Sequence, residues 1–188
     1  MKPWHRFRGL IIPLLAVAAL ALWPVITGKP ANRESAFTIL KAVALASSLN
    51  ILLGYTGYVS FGHIVFYGFG GYVGIFLLTE KGWSLWTAIL AGGIASGALA
   101  FLLGSAILRL RGGYFALATI GINEAMRAFI SNFDLFGGPT GITLNFSVYK
   151  TYGGAAQALQ TSFFIGAGLA FLALLMSYFV RTSKFGLG

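Results

Sequence analysis

Residues 50–74 read NILLGYTGYVSFGHIVFYGFGGYVG. The stretch is apolar enough to lie in a lipid bilayer, yet it holds Gly54, Gly57, Gly62, Gly68, Gly70, Gly71 and Gly74, a set of aromatic rings and one histidine, His63. Glycine is a poor helix former, about 1 kcal/mol worse than alanine. In lipid a different term dominates. The acyl chains are as apolar as leucine, so helices gain little from burying large side chains on one another and gain instead from the close approach that small residues permit.

The glycines then divide by spacing. Gly70 and Gly74 stand four apart on one helix face, as do Gly93 and Gly97, and Ala100 and Gly104 further on. These are small-xxx-small pairs, expected at helix–helix contacts. Gly54 and Gly57 fall between two apolar runs, where a reversal needs the positive φ that glycine adopts freely. Ser60 is the expected N-cap of the helix that follows. The second and third apolar runs are thus expected to form a tight hairpin with a closely packed, polar-flecked face.

The rest of the chain supports a membrane reading. Of 188 residues 57% are hydrophobic and only 9% charged, against roughly 25% charged in a soluble domain. Four acids and thirteen bases cannot furnish a water-facing exterior. Six apolar runs can be marked, at 10–26, 36–53, 61–78, 83–108, 113–130 and 162–180. Each is close to the roughly 20 residues that cross the hydrocarbon core as a helix. They lack the alternation of barrel strands and are too long for them. The expected fold is all-α: a polytopic transmembrane bundle of about six helices occupying residues 1–188. The first run follows Lys2, Arg6 and Arg8 like a signal peptide. Its apolar stretch is long for one and no small-x-small cleavage site closes it, so it is read as a retained helix. Pro13 is expected in its first turn and Pro24 near its exit.

The net charge of +9 does not form a nucleic-acid patch, because the bases sit singly or in small groups between apolar runs. They set orientation instead. With the amino terminus cytoplasmic, the inner side carries Lys2, Arg6, Arg8, Arg109, Arg111, Arg181 and Lys184, and the outer side only Lys29, Arg33, Lys81 and Lys150, as the positive-inside rule requires. The longest connection, residues 132–161, then lies outside. It contains Gly137-Gly138-Pro139-Thr140-Gly141, a turn-rich stretch. Loops beyond about 12–15 residues are often functional; a docking surface and a plain solvated connector are both open readings of this one.

Glu124 and Arg127 interrupt the fifth run. Counted from Asn132 they lie about 12 and 7 Å inside it. A lone charge at a helix centre costs roughly 2.5–3.5 kcal/mol on insertion scales. Arg127 can snorkel; Glu124 is too short to do so. Three apart, the two share a face and either line a pathway or gate, or clamp helices together. Asn50 and His63 lie near the inner ends of the second and third runs, where they serve a polar path or hydrogen bonds between helices. His63 has no metal partners, the other histidine being His5, and the chain has no cysteine. No catalytic residues are assigned: the sequence holds no GxxxxGK[ST] phosphate loop, no HExxH and no nucleophile elbow.

Three motifs taken in order are more specific than any one of them: LNILLGYTGYVSFGHIVFYGFGGYVG, LRLRGGYFALATIGINEAMR and NFDLFGGPTGI. Together they resemble the inner-membrane permease subunit of branched-chain amino-acid ABC transporters, over most of the chain from about Ala36 onward. Urea and short-chain amide permeases share these motifs and are the alternative within the superfamily. The resemblance implies an importer of a bacterial or archaeal cytoplasmic (inner) membrane. An extracytoplasmic solute-binding protein delivers the solute, a second homologous permease subunit completes the pathway, and two cytoplasmic subunits bind the ATP, so this chain itself carries no cofactor. The segment Ser183-Lys184-Phe185-Gly186 resembles the approach to the cytoplasmic coupling loop, which in the family follows directly; on this reading the sequence is an amino-terminal fragment of the subunit or a truncated gene product. Two rivals from other classes are an ion-coupled carrier using Glu124 and a non-transporting membrane scaffold.

Overall fold

The computed structural model describes residues 4–144 and 146–183. Lys2 and residues 184–188 lie outside them, as do the side chains of Arg6 and Arg8. Among the described residues every regular element is helical: α1 (Trp4–Thr27), α2 (Pro30–Thr56), α3 (His63–Thr79), α4 (Leu85–Ile107), α5 (Gly113–Asn132), a short α6 (Phe146–Thr151) and α7 (Ala155–Thr182), with 3₁₀ turns at Asp134–Phe136 and Gly138–Thr140. This is the all-α polytopic architecture expected. Its parts form two compact units, residues 58–148 and the segments flanking them.

The flanking unit gathers α1, α2 and α7, with α2 lying along α7 and α1 against both. Val17 from α1, Ala36 and Leu40 from α2, and Phe163 and Ala170 from α7 form its buried core. The Phe37 ring fills the space a side chain on Gly166 would need, 2.8 Å from that Cβ position. Pro30 opens α2 at its first position, where the missing N–H costs nothing. Gly57 closes it in the left-handed region at φ 72°, with its N–H donating to the Leu53 carbonyl.

Several boundaries differ from expectation, for one reason: hydropathy marks where a helix is apolar, and helices continue through polar residues at their ends. The α1 backbone is helical from Trp4, so Pro13 sits in its interior rather than its first turn, while Pro24 lies in the last turn, near the exit as expected. Gly54 lies inside α2, so of the two glycines only Gly57 takes a positive φ. α7 starts at Ala155, seven residues before the apolar run, because Gln157, Gln160 and Thr161 continue its first two turns. The connection expected at 132–161 is correspondingly shorter, and two 3₁₀ turns and α6 give it structure. Ser60 does not cap α3; Gly62 holds that position and Ser60 is buried.

The central unit gathers α3, α4 and α5. Within it α3 and α4 form a tight hairpin; α2 belongs to the flanking unit. Ser84 caps α4, accepting a hydrogen bond from the Thr87 N–H at 3.4 Å. Contacts pair Gly70 with Gly92, Gly74 with Ala88, and Phe66 with Ser96, so α4 runs antiparallel to α3. The residues before α3 meet the first half of α5, and the turn after α5 meets the second half of α3, so these two helices run parallel. The basic turn Arg109–Arg111 and the glycine turn 137–141 therefore lie at opposite ends of this unit.

Three helices contain stretches long and apolar enough to cross a membrane: Ala31–Gly54, Leu85–Ile107 and Ala155–Thr182. Ile11–Thr27 and His63–Thr79 are shorter apolar helices. α5 has 20 residues, enough for the roughly 30 Å core, but is in neither group, because Asn123, Glu124 and Arg127 interrupt it.

Candidate functional site

The seam between α3 and α4 is built from absent side chains. A Cβ on Gly92 would sit 2.5 Å from the Gly70 carbonyl oxygen, and one on Gly70 would sit 3.1 Å from that of Gly92. A Cβ on Gly74 would meet the Ala88 carbonyl at 3.4 Å. One turn along, the Ser96 hydroxyl donates to the Phe66 carbonyl, a hydrogen bond between helices. Gly70 and Gly74 thus lie on the contact face of α3. Gly93 and Gly97 do not lie on that of α4: both are exposed, and nothing stands within 4 Å of either Cβ position. The contact register on α4 is Ala88, Gly92 and Ser96, one residue earlier than Gly93 and Gly97, with the same spacing of four. A serine in phase with Gly92 was the available signal, since a polar side chain in an apolar helix seeks a partner on another helix.

α5 presents two faces of opposite character. One receives the non-helical segment before α3. The Phe61 N–H donates to the Thr119 hydroxyl at 3.1 Å, and that hydroxyl donates in turn to the Ala116 carbonyl at 2.7 Å. The Tyr58 ring packs on Phe115 with centroids 4.7 Å apart. A Cβ on Gly62 would lie 3.0 Å from the Thr119 carbonyl oxygen, so only glycine lets this segment lie so close. Backbone N–H groups at membrane depth must find partners within protein, and buried Thr119 supplies one. Thr119 was missed in the sequence, where it is one hydroxyl in an apolar run.

Beyond the other end of α5, Phe136 is buried among the rings of Phe69, Tyr72 and Phe76, which form one face of α3, and of Phe133, with centroids 5.7–6.4 Å away. It anchors the turn at Gly137–Gly141. There Gly137 takes φ 78°, and any Cβ on it would overlap the Gly141 carbonyl.

The opposite face of α5 is bare. Tyr114, Leu117, Ile120, Gly121, Glu124 and Arg127 fall within one side of the helix and all are exposed. Glu124 and Arg127 pair across one turn, N to O 4.0 Å, with side chains 66% and 79% exposed respectively. Of the polar residues singled out in the sequence, these two are brought together. Asn50 is exposed on α2, its side-chain oxygen lying over Gly54. It belongs to the flanking unit, whereas His63, half-buried as the first residue of α3, belongs to the central one. Among the described residues no three His, Asp or Glu cluster to hold a metal.

A family model described as the permease component of a branched-chain amino acid transport system matches residues 34–188. The high-affinity branched-chain amino acid transport system permease protein LivM of Salmonella typhimurium is 34% identical over 137 residues, covering 72% of this chain and 32% of that protein. The protein of the same description from Escherichia coli K12 is 33% identical over 137 residues, with the same coverage of each chain. The chain spans about a third of the length of these curated relatives. No solved structure matches it.

Proposed function

The chain belongs to the family of branched-chain amino acid transport permeases, and from that premise we propose that it forms part of the conduit of an ABC importer for branched-chain amino acids in a bacterial or archaeal inner membrane. The observation that carries the reading is the family match itself, which runs unbroken from α2 to the end of the sequence. The physical design suits the role. The central unit keeps its helices close through glycine contacts and leaves a charged face of α5 open to a neighbour. In the proposed assembly the Arg109–Arg111 end faces the cytoplasm, as the positive-inside rule favours. Gly137–Gly141 faces outward, where the solute-binding protein docks. ATP is bound and hydrolysed by two partner subunits, and a second homologous permease subunit completes the route.

The test is uptake in proteoliposomes containing the full-length gene product with its partner permease, ATPases and binding protein. Radiolabelled leucine should enter only with ATP and binding protein present, and a protonophore should leave the rate unchanged. Uptake that collapses with the protonophore, persists without ATP and is abolished by Glu124→Gln would establish an ion-coupled carrier instead. Suppression of leucine uptake by excess urea or a short-chain amide, with those solutes themselves transported, would move the substrate class.

A further inference from the structure

The turn Leu108-Arg109-Leu110-Arg111, which joins α4 to α5, carries charge that nothing in its own unit balances. All four residues are exposed. Among the described residues neither arginine has an ion pair or a side-chain hydrogen bond. The acids of the central unit are Glu80, Glu124 and Asp134. Glu80 follows α3 and Asp134 follows α5, both at the opposite end of the unit. Glu124 lies about 16 Å along α5 and already meets Arg127. The Leu110 N–H donates to the Ile107 carbonyl at 2.9 Å, and Gly112 leads the chain into α5 at φ 58°, so the arginines are presented from one short, fixed stretch. Apolar groups accompany them: Leu108 and Leu110 alternate with the arginines, and Tyr114, 76% exposed, stands in the first turn of α5.

We infer that this turn seats the headgroups of anionic phospholipids, with Arg109 and Arg111 donating to lipid phosphate and Leu108, Leu110 and Tyr114 set against the start of the acyl chains. Depth is the first argument. Trp83 and Trp86 are exposed at the far end of α4, and tryptophan settles at the membrane–water interface. The 23 residues of α4 rise about 35 Å, against a hydrocarbon core of roughly 30 Å. With the tryptophans at one interface, the arginines therefore reach the headgroup layer of the other. Charge is the second argument. A guanidinium offers a planar fork of donors that matches a phosphate group, and it stays charged at any working pH. Two unbalanced arginines at that depth face the anionic headgroups directly. The third is the alternation of charge with apolar side chains. An acidic protein patch would answer the guanidiniums alone. A phospholipid answers both, because its phosphate adjoins its acyl chains. The inference goes beyond the permease reading and needs from it only that α4 crosses the bilayer.

The chain lacks cysteine, which makes a local test direct. Ser105 is exposed on α4, one turn before Arg109. Ser105→Cys is made in the full-length gene product, labelled with a benzophenone maleimide and reconstituted with the partner subunits. The vesicles contain equal parts phosphatidylglycerol and phosphatidylcholine. After illumination the adducts are identified by mass spectrometry. Phosphatidylglycerol adducts should exceed phosphatidylcholine adducts by roughly fivefold or more, the preference expected of one to two arginines at a membrane surface. Replacing both arginines with glutamine should bring the two lipids to parity. Replacing both with lysine should keep most of the preference, since the charge remains. Arg109→Gln and Arg111→Gln alone should each lower it part-way, so the series reads out even where the double variant fails to assemble. Equal labelling of the two lipids in the parent, or a preference that survives the double glutamine replacement, would overturn the lipid seat. So would an adduct formed with a partner subunit in place of lipid, which would make the turn a protein contact. Leucine uptake in the proteoliposomes is a separate readout, so the permease reading can survive the loss of this one.

Discussion

The two sides of the central unit differ in how they treat an empty position on a helix. Where α3 meets α4, glycine's missing side chain is occupied at once by a neighbour's backbone: Gly92 and Gly70 each lie against the other's carbonyl. One residue on, Gly93 has nothing near it. The same contrast runs down α5, where Phe115 and Thr119 are buried under the segment leading into α3 while Leu117, Glu124 and Arg127 are exposed on the far side. Small residues and polar residues thus occur on both sides. Their chemical type does not say which side is closed; their register against a second helix does.

The contrast is broken most forcefully on the closed side. Phe136 holds the glycine turn through rings of α3 and through Phe133. Phe136→Ala should destabilise the unit by roughly 3–5 kcal/mol, the usual cost of removing a buried phenylalanine. Its thermal unfolding midpoint in detergent should fall, and limited proteolysis should cut near 137–141 first. Gly92→Ala comes next. Its new methyl group meets a backbone oxygen at 2.5 Å, and helix backbones yield less readily than side chains, so about 1–3 kcal/mol of overpacking cost is expected. An unchanged midpoint would mean that α3 and α4 are not held at this separation.

Thr119 tests the closed side of α5. Thr119→Val keeps the shape but leaves the Phe61 N–H without its acceptor. The bond is part-buried, so the loss should fall at or below the low end of the roughly 1–3 kcal/mol that an unmet buried donor costs. Thr119→Ser keeps the hydroxyl and should restore most of it. Amide exchange at Phe61 discriminates the two, since protection should be lost in the valine variant and kept in the serine one. Equal loss in both would assign the role to packing of the methyl group rather than to the hydrogen bond.

How much of this was legible in the sequence follows from the same contrast. The helical membrane class was fully legible, because hydropathy depends on composition and survives any packing arrangement. So was the αL closure at Gly57, which depends only on local backbone freedom. Partner choice was not. The glycines of residues 50–74 suggested a close helix contact, and within the central unit Gly70 makes one with Gly92 of α4, but nothing local to Gly70 names that helix. On α4 the spacing of four was read correctly and its phase was not: Gly92 and Gly93 are adjacent, and only the hydrogen bond from Ser96 to Phe66 fixes which one faces inward. Glu124 and Arg127 were found because ionisable groups in an apolar run are conspicuous. That both are exposed depends on where α5 is covered, which is a tertiary fact.

The smallest effect separates adjacent residues most sharply. Gly93→Ala and Gly97→Ala add a methyl group where no atom lies within 4 Å. They also remove a glycine from the interior of α4, which spans Leu85–Ile107. Replacing an interior helical glycine with alanine gains roughly 0.5–1 kcal/mol, so each variant should unfold slightly later than the parent. Gly92→Ala carries the same propensity gain and should still unfold earlier, because the clash exceeds it. The sign must therefore change between positions 92 and 93. If Gly93→Ala lowers the midpoint of the purified protein in detergent, then some part of the chain covers that face of α4, and the division into a closed and an open side fails at its most exposed point.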